Sequence, residues 1–129
     1  MAYNILIVDD NRIMRSMVER AVMMSGIEVA SVRQAGDGAA ALVALRQQIA
    51  DLVLLDINMP TMSGETMLAE MRMDDLLSRV PVIVVSSDAS EARRRRLRYL
   101  GAEFVGKPFR AEELVAALDR LLSTRKPGV

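Results

Sequence analysis

The residues able to do chemistry stand at the ends of apolar runs. Asp9 and Asp10 follow residues 5–8 (ILIV), Asp56 follows 52–55 (LVLL), Ser86 follows 82–85 (VIVV), and Lys107 follows the shorter 104–106. With no histidine and no cysteine in 129 residues, disulfides, thiol chemistry, the usual zinc sites and His-based acid–base catalysis are excluded. Carboxylates, hydroxyls and lysine remain. Three carboxylates gathered at one place repel strongly unless a cation sits among them. A hard divalent ion with oxygen ligands, Mg²⁺ or Mn²⁺, is the natural partner, because it takes one or two carboxylates and leaves positions open to water or a phosphate oxygen. The charge then closes, since three carboxylates, one lysine and a divalent ion sum to zero. A carboxylate in such a place can act as a nucleophile toward a phosphoryl group, while metal, ammonium and hydroxyl stabilise the transferred oxygens. Lysine usage points the same way. Arginine occurs fifteen times and lysine only at 107 and 126, so Lys107 suits a site wanting a compact charge on a long stem.

For these residues to meet, the runs that precede them must be neighbouring strands. Short, continuous, branched apolar runs suit strands buried on both faces of a parallel sheet. The spacing predicts a first helix from Arg12 to about Met24, with Ile13, Met17, Val18 and Ala21 on its buried face and Gly26 as the stop signal. Weaker strands at 29–35 and 104–106 precede, respectively, an Ala-rich helix ending near Gln48 and a helix carrying Leu114, Leu118, Leu121 and Leu122. Further helices are expected over 65–73 and 91–100. Five βα units in succession predict an α/β fold with a parallel sheet. Right-handed crossovers with helices on both faces need one reversal of strand order, and the most apolar strands should be central. Order 2-1-3-4-5 meets both conditions and puts a ligand site beyond the strand ends at the switch point between strands 1 and 3.

A chain of this length that is 51% hydrophobic fits one domain, residues 1–122, followed by a short polar tail at 123–129. Seventeen basic residues balance seventeen acidic ones, so no overall field favours nucleic acid or an anionic membrane, and direct DNA binding is not expected. The first apolar run has no basic residues before it and is cut by Asp9 and Asp10, which makes it neither a signal peptide nor a membrane anchor. A cytoplasmic protein is expected.

The motifs together resemble the receiver domain of bacterial response regulators, particularly the chemotaxis-type single-domain proteins. They are Asp9-Asp10, Asp56-Ile57-Asn58-Met59-Pro60 with Gly64 beyond, Ser86, and Lys107-Pro108-Phe109, spread over residues 5–122. The resemblance implies a flavodoxin-like (βα)5 fold with Asp56 as the phosphoryl acceptor. It further implies Mg²⁺ held by Asp10, Asp56 and the Asn58 carbonyl, with Asp9 acting through water. Lys107 would contact the phosphoryl group, Ser86 would move toward it, and Phe104 would be the switch aromatic, without the hydroxyl some relatives carry there. A histidine kinase or phosphotransfer protein would be the donor. A target protein would read the face of the fourth helix, fifth strand and fifth helix. The Lys107-Pro108 bond is expected to be cis, because the chain must bend sharply to start the last helix and X-Pro is where that isomer is cheapest.

Blander readings compete at several positions. Asp10 or Asn11 could simply cap the first helix, and Asp37-Gly38 reads as an ordinary turn. The ten methionines read as gap-filling core and surface residues. Arg93, Arg94, Arg95, Arg96 and Arg98 form a run that reads first as a solvated face, with Ala92, Leu97 and Leu100 turned inward. An acidic partner or an anionic ligand at this run is the functional alternative. Among rival activities, phosphatases of the haloacid-dehalogenase type place a second Asp two residues after the nucleophile, where this chain has Asn58, so a turnover enzyme is not expected. A scaffold without phosphorylation would have no need of Asp10, Asp56 and Lys107 together, and a nucleotide hydrolase would need a glycine-rich phosphate loop after strand 1.

Overall fold

The computed structural model of the chain describes residues 2–59, 62–88 and 90–122. Pro60 of the motif above and the polar tail lie outside them. The elements are β1 (Tyr3–Val8), α1 (Arg12–Met23), β2 (Val29–Ala35), α2 (Gly38–Gln47), β3 (Leu52–Asp56), α3 (Gly64–Met73), β4 (Val82–Ser86), α4 (Glu91–Tyr99), β5 (Glu103–Gly106) and α5 (Ala111–Leu122). All strand pairs are parallel and the order is β2-β1-β3-β4-β5. Every residue of β3 and β4 is buried, whereas β2 and β5 are only partly so, as strands at the edges must be.

Alternation along the strands divides the core into two. Leu6, Val8, Val53, Leu55, Val82 and Val84 face α2, α3 and α4, whose buried contributions include Leu45, Met67, Leu68, Met71 and Leu97. Ile5, Ile7, Leu52, Leu54, Ile83 and Val85 face α1 and α5, which contribute Val18, Val22, Leu114 and Leu118 among others.

Side-chain caps begin four of the helices. Asn11 accepts from Met14 N at 3.1 Å, Asp37 from Ala40 N at 2.7 Å, Ser63 from Thr66 N at 3.2 Å and Ser90 from Arg93 N at 3.3 Å. Each satisfies one of the backbone donors that a helix start leaves unpaired. Asn11 rather than Asp10 therefore caps α1, and Asp37 does more than turn the chain. Past the end of α1, Gly26 adopts a φ of +90°, a left-handed conformation that suits a residue without a Cβ.

Two helix faces differ from expectation. On α1 the buried stripe is Val18, Ala21 and Val22, while Ile13 and Met17 are 71% and 53% exposed. They lie one residue round the helix from Met14 and Val18, far enough to leave the sheet. On α4, Ala92 is exposed and Arg93 and Arg94 are half-buried beneath it. Leu97 is the buried anchor of this helix, and its face-sharing neighbours at i−4 and i−3 are those two arginines, not Ala92.

Candidate functional site

Parallel register brings the ends of the central strands into line. Val8 pairs with Leu55, Asp56 with Val85, and Ser86 with Gly106, so the residues at and just after these positions share one edge. Asp9, Asp10 and Asp56 each present a carboxylate oxygen there, all within 4.8 Å of one another. Lys107 reaches back over the edge, its Nζ 3.2 Å from Asp56 Oδ1 and 3.4 Å from Asp9 Oδ2. The Lys107-Pro108 bond is cis, as expected, and the Lys107 N–H donates to the Ser86 carbonyl at 2.9 Å.

The loops around the cluster are tied down by the chain's own polar groups. Asp9 spends its second oxygen on the Asn11 N–H at 2.9 Å, and its carbonyl accepts from Arg15 at 2.6 Å. Arg15 is a supporting residue with no motif to announce it, and it also donates to Gln34 at 2.9 Å. On the other side, the Gly64 N–H donates to the Ile57 carbonyl at 2.9 Å, holding the start of α3 against the strand end. The approach is so close that a Cβ at Gly64 would lie 2.3 Å from the Asp56 carbonyl oxygen.

Asp9 and Asp56 are buried and Asp10 is exposed. Burial pushes the Asp56 carboxyl above its ordinary pKa; the Lys107 charge opposes that push, Asp9 adds to it, and hydrogen bonds from Lys107 and the Asn58 backbone lower it again. One ammonium against three carboxylates leaves negative charge in excess among hard oxygen donors, with Asp10 open to water and Asn58 likewise exposed. This donor set fits a Mg²⁺ ion that keeps part of its water shell.

The remaining expected residues lie on β4, α4 and β5. Ser86 is fully buried, its Oγ accepting from the Asp88 N–H at 3.1 Å. Phe104 lies on β5 under Arg94, whose guanidinium carbon is 4.5 Å from the ring centroid, within cation–π range. The arginine run does not behave as one solvated face. Arg93 sits between Glu65 and Asp88, Arg96 pairs with Glu65 and Arg98 with Glu91, while Arg95 is exposed. The methionines also divide: Met67 and Met71 fill the core, whereas Met14 and Met17 line a cleft of about 320 Å³ with Ser87, Lys107, Pro108 and Phe109.

A doubly wound five-stranded parallel sheet with an acidic triad and a lysine at its switch point defines the class of receiver domains. The chain belongs to the response regulator receiver domain family, whose model matches residues 5–119. It is 36% identical over 124 residues to the chemotaxis protein CheY of Bacillus subtilis, covering 95% of this chain and 100% of that protein. It is 37% identical over 126 residues to the probable transcriptional regulatory protein TcrX of Mycobacterium tuberculosis, covering 97% of this chain and 51% of that protein. The chain thus spans about half the length of this transcriptional relative. Among solved structures, the chemotaxis response regulator CheY4 of Vibrio cholerae superposes with a TM-score of 0.83 at 29% identity, covering 95% of this chain and 100% of that one. The receiver domain of the sensor histidine kinase PA1611 from Pseudomonas aeruginosa superposes at 0.81 with 26% identity, covering 95% and 99%, and carries a magnesium ion in its active-site cleft. No helix among the described residues is long and apolar enough to cross a membrane.

Proposed function

We propose that this receiver domain is a Mg²⁺-dependent phosphorylation switch in which Asp56 accepts a phosphoryl group from the phosphohistidine of a kinase or phosphotransfer protein. The observation that carries the reading is the placement of Lys107 between Asp9 and Asp56, with Asp10 completing the acidic group at the strand ends. A carboxylate oxygen of Asp56 attacks the phosphorus, the P–N bond to the donor imidazole breaks, and an acyl phosphate forms. Lys107 is free to pass from the Asp56 carboxylate to a phosphoryl oxygen, because Nζ already lies within hydrogen-bonding reach of the acceptor. Asp9, Asp10, Asp56 and the Asn58 carbonyl would hold the metal, which supplies positive charge to the phosphoryl oxygens as negative charge moves onto them. Water later cleaves the acyl phosphate and returns the resting carboxylate, so the domain is a switch rather than a turnover enzyme.

Ser86, once drawn toward the phosphoryl group, leaves room into which Phe104 turns, and the face of α4, β5 and α5 changes shape for a downstream target protein. Arg94 is placed to follow that ring, and Arg95 and Arg98 lie outward for an acidic partner or anionic ligand. The setting is cytoplasmic, with output through protein contact rather than DNA.

Intact-mass measurement after treatment with acetyl phosphate tests the acceptor. One base- and hydroxylamine-labile phosphoryl group is expected with Mg²⁺ present, and none after chelation or in Asp56→Asn. Undiminished labelling in that variant moves the acceptor elsewhere.

A further inference from the structure

Arg93 occupies an unusual position for a member of a surface arginine run. Its Nε lies 3.3 Å from Glu65 Oε1, in the first turn of α3, and 3.3 Å from Asp88 Oδ2, in the loop between β4 and α4. Its side chain is only 19% exposed, and its buried Nε and NH1 make no well-aligned hydrogen bond. Charge, not directional bonding, therefore holds the guanidinium between its two carboxylates. Asp88 is in turn tied into the same loop, with its N–H donating to Ser86 Oγ at 3.1 Å and its Oδ1 accepting from Ser90 N at 3.0 Å.

We propose that Arg93 is a positioning residue that latches the loop after β4 in its resting form by bridging Glu65 and Asp88, and so keeps the Ser86 hydroxyl engaged with the Asp88 N–H. The inference rests on the reading of Asp56 as phosphoryl acceptor and adds to it a determinant of how readily the switch is thrown. For Ser86 Oγ to reach a group on Asp56 it must give up the Asp88 N–H, and the loop segment that carries Asp88 must shift. That shift draws the Asp88 carboxylate away from Arg93. Glu65 keeps a second cation, since Arg96 contacts the same Oε1 at 3.3 Å, so opening the latch does not strand it. Arg93 thereby favours the resting form, and a ligand that prefers the other form binds more weakly by the cost of opening.

The test is titration of beryllofluoride, a phosphoryl mimic, with Mg²⁺ into the wild-type chain and its variants, followed by amide chemical shifts. Arg93→Gln should bind about two- to five-fold more tightly, the range that partly exposed ion pairs supply. Asp88→Asn, which removes the charge but keeps an oxygen for Ser90 N, should give the same gain, and the double variant no more than either. Arg93→Lys should restore affinity close to wild type. If Arg93→Gln binds no tighter, or loses urea stability with its affinity unchanged, the residue is a structural brace and the latch is wrong while the acceptor assignment stands. If the wild-type chain itself does not bind beryllofluoride, the acceptor assignment falls and the latch falls with it.

Discussion

Replacing Gly64 by alanine should damage the acceptor end of β3 from outside the acidic cluster. The added Cβ would lie 2.3 Å from the Asp56 carbonyl oxygen, 2.8 Å from Ile57 Cα and 3.0 Å from the Asp56 carbonyl carbon. Non-bonded carbon contacts settle at about 3.5 Å, so either the loop or the strand must move by roughly 1 Å. All three obstructing atoms are backbone, and no side chain can turn aside. Overpacking of this kind costs about 1–3 kcal/mol. Displacing the loop also threatens the 2.9 Å bond from Gly64 N to Ile57 O, worth about 1 kcal/mol more. A loss of about 2–4 kcal/mol follows, and with a slope of about 2 kcal/mol per molar urea the unfolding midpoint should fall by roughly 1–2 M. Gly38→Ala is the internal control, because its Cβ meets the Met62 side chain, with the sulfur nearest at 2.8 Å. That chain can rotate away, and the change should stay within about 1 kcal/mol. The surviving fraction of Gly64→Ala should also take label from acetyl phosphate more slowly, since Asp56 moves with its own carbonyl. A Gly64→Ala protein with a wild-type urea midpoint and an unshifted Asp56 amide would refute the claim that this approach holds the acceptor in place.

Asp56→Asn should stabilise the chain in chelator, and increasingly so as pH rises. Burial raises the Asp56 pKa in the folded state above its unfolded value near 3.8, so the folded form binds the extra proton and loses that advantage as pH climbs through the folded pKa. Urea midpoints of the two proteins should therefore separate between pH 4 and neutrality; a constant difference contradicts the sign. Arg72→Ala should cost about 2–4 kcal/mol in urea melts, because the side chain bonds the carbonyls of Leu100, Ser78 and Val80 and so ties α3 to the end of α4 and to the loop before β4. Arg72→Lys should recover only a minor part, since an ammonium cannot span three carbonyls as a planar guanidinium does.

The features most legible in the sequence were those set by unbroken local pattern. The runs 5–8, 52–55 and 82–85 within β1, β3 and β4 are apolar at every position because both their faces are covered, and β2 and β5 read as weaker because they are edges. The site was legible for the same reason: once those runs are strands, Asp9, Asp56, Ser86 and Lys107 have nowhere to go but one edge. What escaped was decided by neighbours distant in sequence. Ile13 and Met17 fit an apolar stripe, yet the sheet contacts a stripe turned by one residue. Arginines at 93 and 94 look like solvent-facing charge, but a long aliphatic stem lets the side chain cover apolar surface while its head finds Glu65, Asp88 or the Phe104 ring. Counting hydrophobic residues cannot reveal such an arrangement. Arg15 left no trace in any pattern.

The division of the core into two separate clusters has a bearing on how such a domain can change over generations. Because the sheet stands between them, a substitution under α4 at Leu97 meets the packing of α2 and α3 but not that of α1 and α5, which close on Leu114 and Leu118 across the sheet. Side chains in contact couple energetically and those without shared partners nearly add, so each flank can be refitted without reopening the other. The face that includes α4 can drift toward a new partner while α1 and α5 keep their fit. A duplicated copy of such a chain starts with one flank available for innovation and the other still fitted to its strands.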